Sequence, residues 1–182
     1  MNQHDSLISF SGFTVLIGSK AEQQVIFTEI KAQLLASERT DLMIVQKNWP
    51  FFPYLNLKEQ VFLDIPEKQK KAKQEQAQAK LMIDSSLLKK SVSELSTFER
   101  IKLQLMHAIL ADKNKLIIED PIDDLSIIEI QDLLTNLCDL VNDHSFSILL
   151  LTHDLSIAES PYVTDCKEAS WLVLVALHQK NR

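Results

Sequence analysis

Lys115-Leu-Ile-Ile-Glu-Asp-Pro121 is a short apolar run that stops at two acids and a proline. Bounded this way, Lys115 to Ile118 reads as a strand buried on both faces. The same signal recurs at Ser147 to Leu151, which runs into Thr152-His153-Asp154, and at Leu42 to Val45. Segments with helical spacing stand between these runs. Val25, Ile26, Ile30 and Leu34 mark a helix over Ala21 to Leu35, and Ile101, Leu105, Ile109 and Leu110 mark a second. Ile130, Leu133, Leu134, Leu137 and Val141 mark a third. Ser96 with Glu99, and Ser126 with Glu129, have the spacing of a capping box, which starts the second and third helices. Buried strands alternating with amphipathic helices predict an α/β fold with a mostly parallel sheet.

Outward from this centre the signals are more varied. Ser6 to Phe10 and Phe13 to Ile17 are apolar and separated by Ser11-Gly12, which predicts a β-hairpin. Trp49-Pro-Phe-Phe-Pro-Tyr54 is an aromatic loop whose prolines block regular pairing. Glu67 to Lys80 is polar all round and predicts a solvated helix. Ser170 to Leu177 reads as a last strand or a short helix, with the strand favoured.

Bulk composition narrows the function. A length of 182 residues suits one domain, 1–182, with a real core. The net charge of -6 argues against nucleic acid as the main partner, since phosphate backbones are bound through clustered cations. Cys138 and Cys166 have no metal-like spacing and fit a reducing compartment. Met1 to Ser6 is polar, without the apolar core of a signal peptide. Only Gly12 and Gly18 supply glycine. Loops that cradle phosphate use glycine for positive φ and for close backbone approach, so a chain this poor in glycine can hardly build one.

In parallel sheets ligands sit beyond the carboxyl ends of the strands. Gly18, Gln46, Glu119, Asp120 and His153 each follow an expected strand. The order of these pieces resembles the ATP-binding subunits of ABC transporters, from about Gly12 to about Glu159. Leu95-Ser96 with Arg100 and its helix is similar to the signature stretch. Leu116 to Pro121 is similar to the Walker B strand, Asp123 to Ser126 to the D-loop, and Leu149 to Asp154 to the strand and histidine of the H-loop. Gln46 matches the Q-loop glutamine. The resemblance implies a P-loop NTPase-like sheet flanked by helices, with a reduced helical subdomain at about 55–95. Little of the antiparallel β subdomain is left, because few residues precede Ile17 and the span from Gln24 to Gln46 is short.

It further implies that Gly18, Gln24 and Ser96 stand at nucleotide-binding positions, Asp120 and His153 at catalytic ones, and Gln46 and Glu119 at the metal. The sequence departs from the family at these very places. A working phosphate loop reads Gly-x-x-x-x-Gly-Lys-Ser/Thr; here Gln23, Gln24 and Val25 replace the second glycine, the lysine and the hydroxyl residue, and Glu22 adds negative charge. In the signature, Thr97, Phe98 and Glu99 replace two glycines and a glutamine. Glu119-Asp120 reverses the usual order of acids, which shifts each carboxylate by about one methylene, and a displacement of about 1 Å can cost on the order of 10²-fold in rate.

ATP and Mg²⁺ are the cofactors the resemblance implies, and the lost loop implies that neither is held tightly and that hydrolysis is absent or very weak. The implied protein is cytoplasmic or peripheral at the inner face of the cell membrane. It pairs with an ABC ATPase or a membrane permease through Trp49, Phe51, Phe52 and Tyr54, and can dimerise. Two alternatives stand beside this: a subunit working through composite sites in a dimer, and a soluble protein that reuses the fold.

Overall fold

The apolar runs become strands because their side chains are wanted on both faces of one sheet. A computed structural model describes residues 9–36 and 40–170. The strands are β1 (Phe13–Ile17), β2 (Leu42–Val45), β3 (Lys115–Ile118), β4 (Ser147–Thr152) and β5 (Asp165–Glu168). They form a five-stranded sheet in the order β2-β3-β4-β1-β5, with every pairing parallel. The helices are α1 (Lys20–Ala36), α2 (Leu57–Val61), α3 (Glu67–Lys80), α4 (Thr97–Leu110), α5 (Ile127–His144) and α6 (Leu155–Ala158).

The period-2 alternation of strand side chains divides the core into two layers. Leu16, Leu42, Ile117, Leu149 and Leu151 face one way and pack with Ile26, Phe27 and Ile30 of α1. Val15, Val45, Leu116, Ile118, Ile148 and Leu150 face the other way and pack with Ile101, Leu105, Leu133 and Leu137 of α4 and α5. Ser96 and Ser126 cap α4 and α5, each bonded to the N–H of the glutamate three residues on.

Three sequence expectations change. The hairpin is absent: β1 has β4 on one edge and β5 on the other, so neither edge is left for an antiparallel partner from the preceding residues. Residues 9 and 10 carry no strand, and residues 6–8 lie outside the described residues. Glu67 to Lys80 is the expected helix, but one line of it is not solvated. Ala77 is fully buried where α3 packs on α4, and Lys73 and Lys80 pair with Asp112 and Asp143 at 2.7 Å each. The strand expected at Ser170 to Leu177 falls, after its first residue, outside the described residues. β5 carries the sequence Asp-Cys-Lys-Glu, an exposed edge with no apolar pattern to announce it.

Both glycines have local reasons. Gly12 has φ of 64°, and a Cβ there would lie 2.7 Å from Thr164 Oγ1. A Cβ on Gly18 would lie 2.3 Å from the Cβ of Ala169, which follows β5.

Candidate functional site: the carboxyl ends of the strands

The β1–α1 connection is short. Gly18 donates its N–H to Thr152 O at 3.1 Å, and α1 starts at Lys20. Ser19 stands before the helix with Glu22 three positions on. The Glu22 carboxylate accepts both the Ser19 N–H and the Ser19 hydroxyl at 2.8 Å each. The hydroxyl, and then the N–H, hold the Glu22 carboxyl below its ordinary value. Gln23 turns inward, 6% exposed, and its side-chain amide donates to Gly18 O at 2.9 Å and to Asp120 Oδ2 at 3.2 Å.

Asp120 is the centre of the cluster. Its Oδ2 also accepts the His153 N–H at 3.0 Å and the His153 ring Nδ1–H at 2.6 Å, while Oδ1 accepts the Ile122 N–H at 3.1 Å. One carboxylate thus ties together the segments after β1, β3 and β4. His153 Nε2 lies 3.3 Å from Asp123 Oδ1, and Lys20 forms an ion pair with Asp123. Its hydrogen bond from Lys20 holds the Asp123 carboxyl below its ordinary value, and the same bond raises the Lys20 ammonium. Both partners are exposed, so the pair contributes little stability.

The neighbouring acid is engaged differently. Glu119 Oε2 accepts the Lys47 N–H at 2.9 Å, and Lys47 Nζ pairs with Asp124 at 3.1 Å. Gln46 is held through its backbone by the fully buried Gln104, not through its own side chain. A cleft of about 160 Å³ is lined by Lys20, Gln23, Gln24, Phe27, Lys47, Glu119, Asp120, Asp123 and Leu151. Gln24 is exposed on its rim. Ser96 and Gln46 do not line it. Ser96 stands at the start of α4, where its Oγ accepts the Glu99 N–H at 3.1 Å and its N–H reaches Glu99 Oε2 at 3.0 Å. Burial pushes the Glu99 carboxyl up, but the bonds from Lys90 and Ser96 outweigh it and leave it below its ordinary value.

The structure therefore gathers Gly18, Gln24, Glu119, Asp120 and His153 at one end of the sheet and leaves Ser96 and the Gln46 side chain apart. Gln23, Lys47 and Gln104 are central to the arrangement and were not singled out as site residues by sequence. Gln23 had a signal in the sequence, as the residue at the position of the second glycine of a phosphate loop, and Gln104 had one as a glutamine in the middle of the apolar α4 pattern. Among the described residues, no group of three or more His, Cys, Asp and Glu is placed to hold a metal ion. No described helix is long and apolar enough to cross a membrane.

A parallel sheet in this order, with acids and a histidine at the carboxyl ends of β3 and β4, is the fold of an ABC nucleotide-binding domain in shortened form. The chain is similar to the dimeric bacterial ABC transporter cassette MJ0796, with a TM-score of 0.66 at 12% identity over 88% of this chain and 83% of that one. It is also similar to cbiO1 from Clostridium perfringens, part of the cbiONQ transporter complex, with a TM-score of 0.70 at 16% identity over 87% and 73%. In sequence it is 24% identical over 133 residues to the bicarbonate transport ATP-binding protein CmpD of Synechocystis sp. (strain ATCC 27184 / PCC 6803 / Kazusa). That match takes in 70% of this chain and 47% of the relative, so the chain spans about half the length of the curated relative it matches. No protein-family model matches the chain.

Proposed function

We propose that this chain is a degenerate ATP-binding-subunit-like protein of an ABC-type transport system, which acts by pairing with an ATPase or permease partner and does not itself hydrolyse ATP efficiently. The observation that carries this reading is the state of the β1–α1 connection. A phosphate bound there needs free backbone N–H groups at the helix start and a nearby cation. Here the Glu22 carboxylate occupies the Ser19 N–H and hydroxyl, and the Gln23 side chain fills the space beside Gly18. The only positive-φ glycine in the chain, Gly12, is at the other end of β1. Val25, 39% exposed, has no oxygen for Mg²⁺, and Glu119 and Asp120 already accept bonds from Lys47, Gln23, His153 and Ile122. These residues do not fit a magnesium nucleotide. The charged lining of the cleft also weighs against reuse of the fold for an apolar ligand.

A partner surface in the aromatic loop is reduced to its outer half. Trp49 and Phe51 pack against the core with their rings 5.0 Å apart, whereas Phe52 and Tyr54 are 44% and 77% exposed. Docking is assigned to Phe52 and Tyr54, with Trp49 and Phe51 as their support. The composite-site alternative draws on Ile127 and Ile128, exposed just after the Asp123–Ser126 turn, a position where a covering partner would bury them. The Ser96 hydroxyl, spent on Glu99, weighs against it.

The test is calorimetric titration of Mg-ATP into the purified chain, with thermal unfolding alongside. No saturable heat and an unchanged melting temperature at millimolar Mg-ATP are expected. A ligand that binds only the native state must raise the melting temperature, so a clear rise would overturn the reading.

A further inference from the structure

The segment between β2 and α2 raises a separate question. Residues 46–56 form neither helix nor strand, and Pro50 and Pro53 have no N–H to give. Buried backbone groups still require partners, and this irregular segment supplies few from itself, the Leu55 N–H to Phe52 O bond at 3.1 Å being one. Two buried glutamines supply others. Gln104 of α4 is fully buried: its Oε1 accepts the Gln46 N–H at 2.9 Å, and its Nε2 donates to Gln46 O at 2.8 Å and to Arg100 O at 3.2 Å. Gln60 of α2 is 5% exposed: its Oε1 accepts the Phe52 N–H at 3.2 Å, and its Nε2 donates to Pro50 O at 3.2 Å. A carboxamide offers the same donor and acceptor as a peptide group, so each glutamine makes a paired contact like one rung of a β-ladder. Between the two anchors, Glu119 holds the Lys47 N–H at 2.9 Å. His107 joins the α2 and α4 sides through Val61 O at 2.8 Å, and Trp49 packs on Phe51 and His107.

We propose that residues 46–52 form a preorganised strut, fixed by Gln104, Gln60 and Glu119, that holds the exposed Phe52–Tyr54 pair at a set position relative to the sheet. Phe52 and Tyr54 have ring centroids 5.8 Å apart and stand at the far end of this strut. A rigid display lowers the ordering cost of any later contact, because the loop is ordered before the contact forms. The device is independent of nucleotide binding and stands or falls separately from the reading above.

Hydrogen exchange read by NMR or at peptide level by mass spectrometry tests it, in the full chain without ligand. In the wild type, the amides of Gln46, Lys47 and Phe52 are expected to exchange slowly, close to those of β2. Fast exchange there, at the rate of an open loop, overturns the proposal without any variant. Gln104→Met and Gln60→Met keep side-chain bulk and remove the paired bonds. Each is expected to speed exchange in residues 46–52 by about tenfold or more while β3 and β4 keep their protection, since local opening is separable from global unfolding. Unchanged exchange in 46–52, or an equal rise across β3 and β4, would show that the glutamines act only as core filling and would defeat the proposal.

Discussion

Gly18 lies so close to Ala169 that a methyl group on it would sit 2.3 Å from the Ala169 Cβ. The residue that matches the first glycine of a phosphate loop is therefore needed where the end of β1 meets the end of β5, with no ligand involved. Real Cβ atoms do not approach to this distance, and the Ala169 Cβ is fixed to the backbone and cannot swing away as the far end of a long side chain could. Gly18→Ala is expected to destabilise the chain by about 2 kcal/mol through overpacking. Urea unfolding, with and without nucleotide, checks this; a midpoint equal to wild type would remove the packing explanation.

Glu22 makes its contribution only as an anion. Its folded-state value lies below the ordinary 4.5 because Ser19 bonds the ionised form. A lowered carboxyl stabilises the fold above its unfolded value, and the contribution disappears as pH falls through the lower folded value. Glu22→Gln should thus be less stable than wild type at pH 7, and the gap should shrink as pH falls below the ordinary 4.5 and through the lower folded value. Chemical unfolding of both proteins at pH 7 and pH 3 measures it. A gap that widens in acid would contradict the assignment.

Asp120 joins the segments that follow β1, β3 and β4. Replacing it with Ala leaves the Ile122 N–H, the His153 N–H and ring N–H, and one Gln23 amide bond without their acceptor. Removing the shared acceptor of a part-buried hydrogen-bond network costs on the order of 2 kcal/mol. The loss should be the same with or without Mg-ATP, as read from the unfolding midpoint. A neutral Asp120→Ala would mean that the network contributes specificity without stability.

Glycine scarcity leaves a stability reserve. α3 ends in a Schellman turn: Ile83 donates to Gln78 O at 2.8 Å, Met82 donates to Ala79 O at 3.3 Å, and Met82 has φ of 48°. Met82 is 71% exposed, so its side chain contributes little packing in return. An L-residue in this conformation carries a steric cost of about 1 kcal/mol. Met82→Gly is expected to raise stability by about that amount, less the entropy glycine loses on folding. A lower melting temperature than wild type would show that the exposed methionine makes a contact worth more than the strain.

Much of the fold was legible because its signals are local. Four of the five strands and the three long amphipathic helices could be placed from apolar runs, helical spacing and capping pairs, all of which act within a few residues. β5 was not legible, since an exposed edge strand of Asp-Cys-Lys-Glu is held by pairing with β1 and by no apolar preference of its own. The hairpin expectation failed for a related reason. β1 reads as a plain apolar strand, and nothing local says that both its edges are taken by chain that comes more than a hundred residues later.

The same division runs through the site. Sequence by itself determined the alternating α/β order, the shortage of glycine, and the presence of Gln23, Gln24 and Val25 at the start of the first long helix, because these are properties of residue type and spacing. Only tertiary structure decided that Gln23 reaches Asp120, that Glu119 is used by Lys47, and that Gln104 holds Gln46. Those contacts join residues 97, 72 and 58 positions apart. A glutamine carries the same amide wherever it stands, and its role depends on which backbone group the fold brings within reach.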